Sequence, residues 1–225
     1  MPDSAQRAKY VAIITDGNGR WAKANGVSVA EGHAAGADVV KARLRDAVEL
    51  GVKELTVYSF STENWSRSPA EVDALMAMFA HRIRTEAPEL HEQGVRMRFI
   101  GRRDRISAEL VGLIDDAEAL TAENDRITLF VAFDYGGRDE ILQAAERFAG
   151  GSEDEFRALL YAPDMHDPDL VIRTSGEQRL SNYLLWQTAY AELSFADELW
   201  PDYTRGCFER DLHTYTSRQR RFGGR

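Results

Sequence analysis

Residues 10–21 read Y-V-A-I-I-T-D-G-N-G-R-W. The first half is short and apolar, which predicts a buried strand of a parallel sheet. The run stops at Asp16-Gly17-Asn18-Gly19, a sequence that favours a tight turn, and Arg20 then begins a predicted helix. A glycine-rich turn between a strand and a helix presents free N–H groups and the positive end of a helix dipole, which suit a phosphate group. Asp16 is a carboxylate placed for a divalent metal, with the cation Arg20 beside it.

The same D-G-N-G sequence has a simpler interpretation, because it also suits the turn of a β-hairpin. It matches neither G-x-G-x-x-G nor a Walker sequence, so it predicts neither dinucleotide binding nor P-loop nucleotide binding. On residues 10–21 alone, a plain turn and a phosphate site both stay open.

Length and composition limit the class of protein. The 225 residues, 44% hydrophobic and 29% charged, suit one soluble α/β domain. The net charge of −9 argues against broad nucleic-acid binding, which needs a positive surface. Cys207 is the single cysteine, which excludes an internal disulfide and a multi-cysteine metal site. We see no signal peptide and no apolar run near the ~20 residues of a transmembrane helix, so we expect a cytoplasmic location.

Strand and helix patterns alternate along the chain. Pro88 is expected to bend or interrupt the helix that follows Ser68, and Gly94 to end it. We predict a single domain over residues 1–225, with a mostly parallel sheet of about six strands flanked by helices. The predicted strands are 10–14, 54–60, 95–100, 127–133, 169–172 and 192–195, and the main helices between them are 32–50, 69–93, 107–124, 184–191 and 207–220.

Four predicted strands end in polar loops, which meet at one edge of the sheet if the strands are parallel. Several arginines around one carboxylate are costly as simple packing, because unpaired buried charges are unfavourable. They fit a site for diphosphate groups and Mg²⁺ instead, although a structural salt-bridge network explains any one of them equally well. The residues brought together in this way are Asp16, Arg20, Asn64, Arg67, Arg138, Arg173, Arg179 and Ser181.

Several ordered motifs extend this pattern over residues 10–224. They are D-G-N-G-R-W-A at 16–22, G-H at 32–33, F-S-T-E-N-W at 60–65, Y-G-G-R at 135–138, D-L-V-I-R-T-S-G-E at 169–177, L-L-W-Q at 184–187, A-E-L at 191–193, W-P-D at 200–202 and R-R-F-G at 220–223. With these motifs the chain closely resembles the cis-prenyltransferases, the undecaprenyl diphosphate synthase group.

The resemblance implies a Mg²⁺-dependent enzyme that condenses isopentenyl diphosphate with an allylic diphosphate such as farnesyl diphosphate. The product would be a Z-polyprenyl diphosphate of undecaprenyl or decaprenyl length, a cell-wall lipid carrier. Alternatives are a short-chain synthase that stops at farnesyl or geranylgeranyl length, and a non-catalytic partner subunit. The resemblance also implies a homodimer, a hydrophobic tunnel along the helix of residues 72–83, and a lipid product that brings the protein close to a membrane surface.

The resemblance assigns roles to particular residues. Asp16 and Glu192 would bind the metal, and Asp16 and Asn64 would be catalytic. Trp65 and Glu71 would close over the substrate, and Asn18, His33, Ser61 and Asn64 would lie near the departing proton. The residues expected to bind substrate are Gly17, Asn18, Gly19, Arg20, Trp21, His33, Ser61, Thr62, Glu63, Trp65, Arg67, Arg173, Arg179, Ser181, Arg221 and Gly223, the last two reaching across the dimer.

The chain departs from the family pattern at several positions. Val29 stands where the family commonly has an arginine, which removes one expected phosphate contact. Gln178 replaces a frequent histidine, and Phe133 is bulkier than usual and could shorten the tunnel. These departures affect the expected allylic substrate and product length, and leave the expected reaction type unchanged.

Overall fold

The computed structural model describes residues 7–218, and a six-stranded sheet runs through the centre of that part of the chain. The strands lie in the spatial order β3-β4-β2-β1-β5-β6, and every neighbouring pair is parallel. The predicted α/β fold with about six mostly parallel strands is therefore confirmed. The strands are β1 Tyr10–Ile14, β2 Glu54–Ser61, β3 Val95–Ile100, β4 Ile127–Tyr135, β5 Leu170–Arg173 and β6 Glu192–Phe195.

Helices connect most of the strands, because parallel neighbours need a long crossover. Among the described residues, no helix combines the length and the apolar character that a membrane span needs. The helices are α1 Asn18–Asn25, α2 Val29–Leu50, α3 Pro69–Glu92, α4 Ala108–Leu120, α5 Gly137–Arg147, α6 Glu153–Arg157 and α7 Arg205–Ser217, with 3₁₀ turns at Thr62–Ser66 and Trp200–Asp202.

Alternation along the strands divides the core into two layers, because successive strand residues point to opposite faces of the sheet. Val11 and Ile13 of β1 belong to the larger layer, which includes residues of α2, α3, α4 and α7. Ala12 and Ile14 belong to the smaller layer, which includes residues from the loops after α6 and β5. β1 is therefore buried on both faces, as its apolar sequence predicts.

Helix boundaries differ from the sequence predictions where local contacts decide them. Ser28 and Glu31 form a capping box, so α2 begins at Val29 rather than at residue 32. α3 continues through Pro88 to Glu92 as one helix, so the expected interruption is absent from it. α4 and α7 both end earlier than predicted, at Leu120 and at Ser217.

The helix predicted for residues 184–191 is wrong. This segment is a series of turns, and Leu184 has φ 45°, a left-handed conformation that does not fit a right-handed helix. Burial explains why the sequence misled: Leu184 is fully buried because it packs in the smaller core layer and not because it lies on an amphipathic helix.

The position of β1 determines where a site can form. β1 pairs with β2 on one side and with β5 on the other, although β5 comes much later in the chain. In open parallel sheets, ligands bind at the carboxyl edge beside such a change in strand order. The loops that leave β1, β2 and β5 all start at this edge.

Candidate active site

Asp16 lies two residues beyond β1 and is held from several sides. Its backbone N–H donates to the Thr174 hydroxyl at 3.0 Å, and its carbonyl accepts the N–H of Trp200 at 3.0 Å. Its carboxylate accepts a hydrogen bond from Arg173 at 2.8 Å and lies 3.2 Å from Arg20. Burial alone would raise the pKa of Asp16, but hydrogen bonds from Arg173 and Ser175 and the two arginine charges outweigh it and lower this pKa. Asp16 is therefore an anion at neutral pH.

The amino terminus of α1 follows directly. Gly17 has φ 117°, which favours glycine, and it caps α1 without a side-chain hydrogen bond. The first-turn N–H groups of α1 are left for an anion, and the helix dipole adds positive potential there. The Asn18 side-chain oxygen, buried without a hydrogen-bond partner among the described residues, lies beside Gly36 of α2.

Arg173, at the end of β5, is the buried cation of the site. It is only 4% exposed, and it donates to Asp16, to the Ser181 hydroxyl at 2.6 Å and to the Arg179 carbonyl at 2.6 Å. The loop that follows is strained, since Ser175, Ser181 and Asn182 all have φ between 48° and 79°. Such strain in non-glycine residues is typical of loops that position functional groups.

The loops after β1, β2 and β5 enclose a first polar space, here called the Ser181 cleft. The loop after β2 is closed by the Asn64 side chain, which accepts the Ser61 N–H at 2.9 Å, and is tied to the loop after β5 by Asn182, which donates to Glu63 at 3.0 Å. The cleft has a volume of about 510 Å³ and is lined by Ile14, Thr15, Asp16, Tyr58, Ser61, Glu63, Asn64, Arg173, Ser181 and Asn182.

A second polar space, the His33 cleft, lies over the start of α1. Arg67 forms an ion pair with Glu71 at 2.7 Å and lies 3.4 Å from the His33 ring. Burial, reinforced by the Arg67 charge and opposed by Glu71, lowers the pKa of His33, so its ring is neutral at pH 7. The cleft has a volume of about 330 Å³ and is lined by Thr15, Asp16, Gly17, Asn18, Gly19, Arg20, Val29, His33, Arg67 and Glu71.

An apolar cavity of about 110 Å³ begins where the His33 cleft ends, and Thr15, Asn18 and His33 line both spaces. It continues between α2, α3 and the sheet, past Leu75, Phe79, Ile83, Leu90 and Met97. Phe133 does not face this cavity directly, since Phe79 packs against it with ring centroids 4.4 Å apart.

Ion pairs join α2 to α3 along the side of this cavity. Arg82 of α3 donates to Asp38 at 2.7 Å and to the Ala34 carbonyl at 3.1 Å, both in α2. Further along the same two helices, Glu89 pairs with Lys41 and Arg45. Arg82 and its ion-pair partner Glu86 both line the cavity, so one part of a mostly apolar wall is charged.

The residues present fit a magnesium ion that is shared with a substrate. Mg²⁺ is commonly held by one or two carboxylates together with substrate phosphates, and Asp16 offers a partly exposed carboxylate to both polar clefts. No group of three or more acidic, histidine or cysteine side chains suited to a metal occurs within residues 7–218.

Glu192, the second residue expected at the metal, lies away from Asp16, at the start of β6. It pairs in register with Leu170 at the amino end of β5, and its carboxylate binds Arg218 at 2.8 Å. Asp16 follows the carboxyl end of the neighbouring strand β1. The structure therefore does not bring Glu192 to Asp16 within one chain, because the two residues lie at opposite edges of the sheet.

Other expected site residues turn away from the clefts. The indole of Trp21 donates to Asp202 at 2.8 Å, and that of Trp65 donates to Asp134 at 2.8 Å. Arg138 is exposed at the start of α5, and Arg179 is exposed and pairs with Glu177. Thr62 lies beside Gly136 and the Glu63 carboxylate. Arg221 and Gly223 fall outside the described residues.

The sequence analysis did not single out four residues that build this site. Thr15 lines both polar clefts and the apolar cavity, Thr174 and Ser175 hold Asp16 and Arg20, and Asn182 joins the two loops. The sequence feature that could have identified them is their position, because they stand in or next to the same strand-end loops as the predicted residues. Any polar side chain in those loops is a candidate.

Comparison with known proteins gives consistent results. Residues 14–223 match the family described as "Putative undecaprenyl diphosphate synthase". Isoprenyl transferase of Thermotoga maritima is 48% identical, covering 96% of this chain and 97% of that protein. Isoprenyl transferase 2 of Bradyrhizobium diazoefficiens is 45% identical, covering 99% and 93%. Lavandulyl diphosphate synthase of Lavandula x intermedia, solved with dimethylallyl diphosphate, superposes with a TM-score of 0.94 at 35% identity and covers 98% of this chain and 100% of that one.

Fold and site together define an α/β protein whose cation-lined clefts, at the carboxyl edge of a parallel sheet, open into an apolar cavity. The comparisons then identify the family: the chain belongs to the undecaprenyl diphosphate synthase family of isoprenyl transferases. The resemblance stated from the sequence motifs is confirmed.

Proposed function

We propose that the protein is a cis-prenyltransferase that condenses isopentenyl diphosphate with an allylic diphosphate such as farnesyl diphosphate. One observation carries this proposal: Asp16 lines two polar clefts at once, and the His33 cleft continues into an apolar cavity. Two diphosphates can then lie on either side of one carboxylate, with the hydrocarbon chain of one of them in the cavity.

Charge and backbone geometry suggest which diphosphate binds where. The first-turn N–H groups of α1 and Arg20 would hold the diphosphate of the allylic substrate in the His33 cleft. Arg173 and Ser181 would hold the diphosphate of isopentenyl diphosphate in the Ser181 cleft. Arg179 and the tail residues Arg221 and Gly223, the latter from the other subunit of a homodimer, would add to that cradle.

Asp16 would hold the magnesium ion, whose charge would offset the negative charge on the departing diphosphate. In the reaction, the allylic C–O bond breaks, the terminal alkene carbon of isopentenyl diphosphate forms the new C–C bond, and a proton leaves. Arg20 and Arg173 stabilise the diphosphate charge in fixed positions. Asn64 and Ser61 line the Ser181 cleft. His33 is neutral and able to accept a hydrogen bond.

The apolar cavity would form the tunnel for the growing chain, because its lining is mostly aliphatic and aromatic. We favour a product of undecaprenyl or decaprenyl length; the second candidate, a short-chain product, is favoured by the narrow cavity and the bulk of Phe79 backed by Phe133. A homodimer in the cytoplasm that releases its lipid product at a membrane surface completes the proposal.

The test is incubation of the purified protein with radiolabelled isopentenyl diphosphate, Mg²⁺ and either geranyl or farnesyl diphosphate, followed by chromatography of the products. We expect labelled polyprenyl diphosphate, and we expect EDTA to abolish it. Product that stops at farnesyl or geranylgeranyl length would select the short-chain alternative, and no product from any primer would contradict the proposal.

Asp16→Ala tests the metal assignment. We expect turnover to fall at least about 100-fold, because the variant loses the carboxylate that would hold the metal in place. Circular dichroism should show an intact fold, and Asp38→Ala, which removes a carboxylate from α2 outside both polar clefts, should still turn over. Near-normal product formation by Asp16→Ala would contradict the role of this residue.

A further inference from the structure

We propose that Asp134 and Arg105 are positioning residues, which hold the catalytic loop after β2 in place through Trp65. Both lie outside the residues to which the proposed reaction assigns a role. The starting observation is that Asp134 is a fully buried carboxylate, 0% exposed, next to a site that does not use it. Buried carboxylates are costly to keep unless their oxygens are paired, so such a group needs an explanation.

The backbone shows how Asp134 reaches its position. In the pairing of β2 with β4, Phe60 lies opposite Phe133 and Ser61 opposite Tyr135, which leaves Asp134 as an extra residue. Asp134 has φ 48°, a left-handed conformation. This is a β-bulge, a device that redirects a side chain at the end of a strand, and bulges are common next to active sites.

The redirected carboxylate holds two groups from different parts of the chain. It accepts the indole N–H of Trp65 at 2.8 Å and the Nε–H of Arg105 at 3.0 Å, with a second, shorter hydrogen bond from an Nη of Arg105. The Arg105 guanidinium also lies 5.5 Å from the centre of the Trp65 ring, within cation–π range. The three side chains form one hydrogen-bonded unit around the buried Asp134, here called the Asp134 clamp.

Trp65 belongs to the 3₁₀ turn Thr62–Ser66, which directly follows β2. The same turn carries Asn64, which lines the Ser181 cleft, and Glu63, which binds Asn182 of the opposite loop. A shift of the backbone at Trp65 would therefore carry Asn64, the adjacent residue, relative to Arg173. The edge-on contact of the Trp65 ring with Phe60 and its hydrogen bond to Asp134 oppose such a shift.

This assignment changes the expected role of Trp65. Instead of touching substrate, the indole would act as the fixed end of the loop, and Asp134 and Arg105 would set the geometry of Asn64 without contact to either diphosphate. Diphosphate binding on α1 and Arg173 should then survive loss of the clamp, whereas the chemical step should not.

The experiment compares Arg105→Gln with Arg103→Gln. Both arginines lie in the loop after β3 with similar exposure, 33% and 34%, but Arg103 pairs with Asp115 and Glu118 of α4 instead. We expect Arg105→Gln to lower kcat by about 10- to 100-fold, the usual effect of a small displacement of reacting groups. The Kd for isopentenyl diphosphate should stay within about twofold, and Arg103→Gln should leave both constants unchanged.

Trp65→Phe provides a second variant that keeps the Arg105–Asp134 ion pair and most of the ring contact. It removes the indole N–H together with one ring of the indole and leaves Asp134 paired with Arg105, so it should fold even if Arg105→Gln does not. Its effect on kcat should have the same direction, and combined with Arg105→Gln the two effects should be clearly less than additive, because both break one unit.

The kcat measurement rests on the proposed function, so a second readout is independent of turnover. Amide hydrogen exchange of residues 61–66 should become at least about tenfold faster in Arg105→Gln and stay unchanged in Arg103→Gln. If the wild type makes no prenyl product, the proposed function fails while this comparison still tests the clamp. Unchanged exchange in residues 61–66, or a kcat within about twofold of wild type with only a lowered Tm, would overturn the inference.

Discussion

At the scale of single residues, burial separates arginines that look alike in the sequence. Arg173 and Arg179 stand in one motif, but Arg173 is 4% exposed and bonded to Asp16 and Ser181, whereas the side chain of Arg179 is 58% exposed. When a buried arginine is removed, its acidic partner is left without a counter-charge in a place that water reaches poorly. When an exposed arginine is removed, water solvates the partner instead. Arg173 is therefore part of the structure as well as of the site.

Replacing each arginine by methionine tests this difference. We expect Arg173→Met to lower the free energy of unfolding by about 3 kcal/mol, because the ionised Asp16 loses its buried partner. Arg179→Met should cost less than about 1 kcal/mol, as for other exposed pairs. Urea denaturation gives both values, and calorimetry should show that only Arg173→Met abolishes isopentenyl diphosphate binding. Equal losses of stability in the two variants would refute the distinction.

The sequence predicted which residues converge at the ends of the parallel strands, while their roles stay predictions. Asp16, Arg20, Asn64, Arg173 and Ser181 meet because parallel strands end at one edge, and strand ends are visible in the sequence. The sequence did not predict the positions of residues whose place in the site depends on the direction of the side chain. Trp65 follows the same strand as Asn64, and only the β-bulge at Asp134 shows that its indole turns away from the cleft.

At the scale of elements, the contact between α1 and α2 depends on glycine. A Cβ atom added to Gly32 of α2 would lie 2.6 Å from the Asn18 carbonyl oxygen and 2.9 Å from the Ala22 side chain. α1 carries the amino terminus that we propose binds a diphosphate, and this contact fixes that terminus beside Asp16. In the sequence the G-H pair indicates only a family motif, since a close approach between helices leaves no periodic signal.

Gly32→Ala should therefore lower the free energy of unfolding by about 1–3 kcal/mol, because backbone atoms must move to admit the methyl group. Gly112→Ala is the matched control: Gly112 lies inside α4 and has no atom within 4 Å of an added Cβ. There the higher helix propensity of alanine should raise stability by up to about 1 kcal/mol. Thermal or urea unfolding measures both changes, and opposite signs are expected.

At the scale of the whole molecule, a buried acid links stability to pH. Glu140 is 2% exposed and accepts hydrogen bonds from Gln187 at 3.1 Å and from the Tyr135 hydroxyl at 2.5 Å. Burial raises the pKa of Glu140 above its ordinary value of 4.5, and these hydrogen bonds only partly offset that effect. The folded protein therefore holds this proton more tightly than the unfolded chain does.

The sign of the pH effect follows directly. The raised pKa of Glu140 stabilises the fold fully at pH below the pKa of Glu140 in the unfolded chain. This stabilisation is lost as pH rises through the pKa of Glu140 in the folded protein. Glu140→Gln cannot ionise, so we expect its stability relative to wild type to increase as pH rises from the ordinary glutamate value of 4.5 into the neutral range. Urea midpoints of both proteins across this range provide the measurement. Curves that stay parallel would show that Glu140 is equally easy to ionise in the folded and unfolded chain.

The order of the strands also has a consequence for synthesis. β1 carries Asp16, but its partner β5 is made much later, with residue 11 opposite residue 170. At about 5–20 residues per second, the growing chain on the ribosome waits on the order of ten seconds between completing β2 and completing β5. Throughout that interval one side of β1 exposes unpaired backbone, and the nascent chain is open to aggregation until its last third emerges.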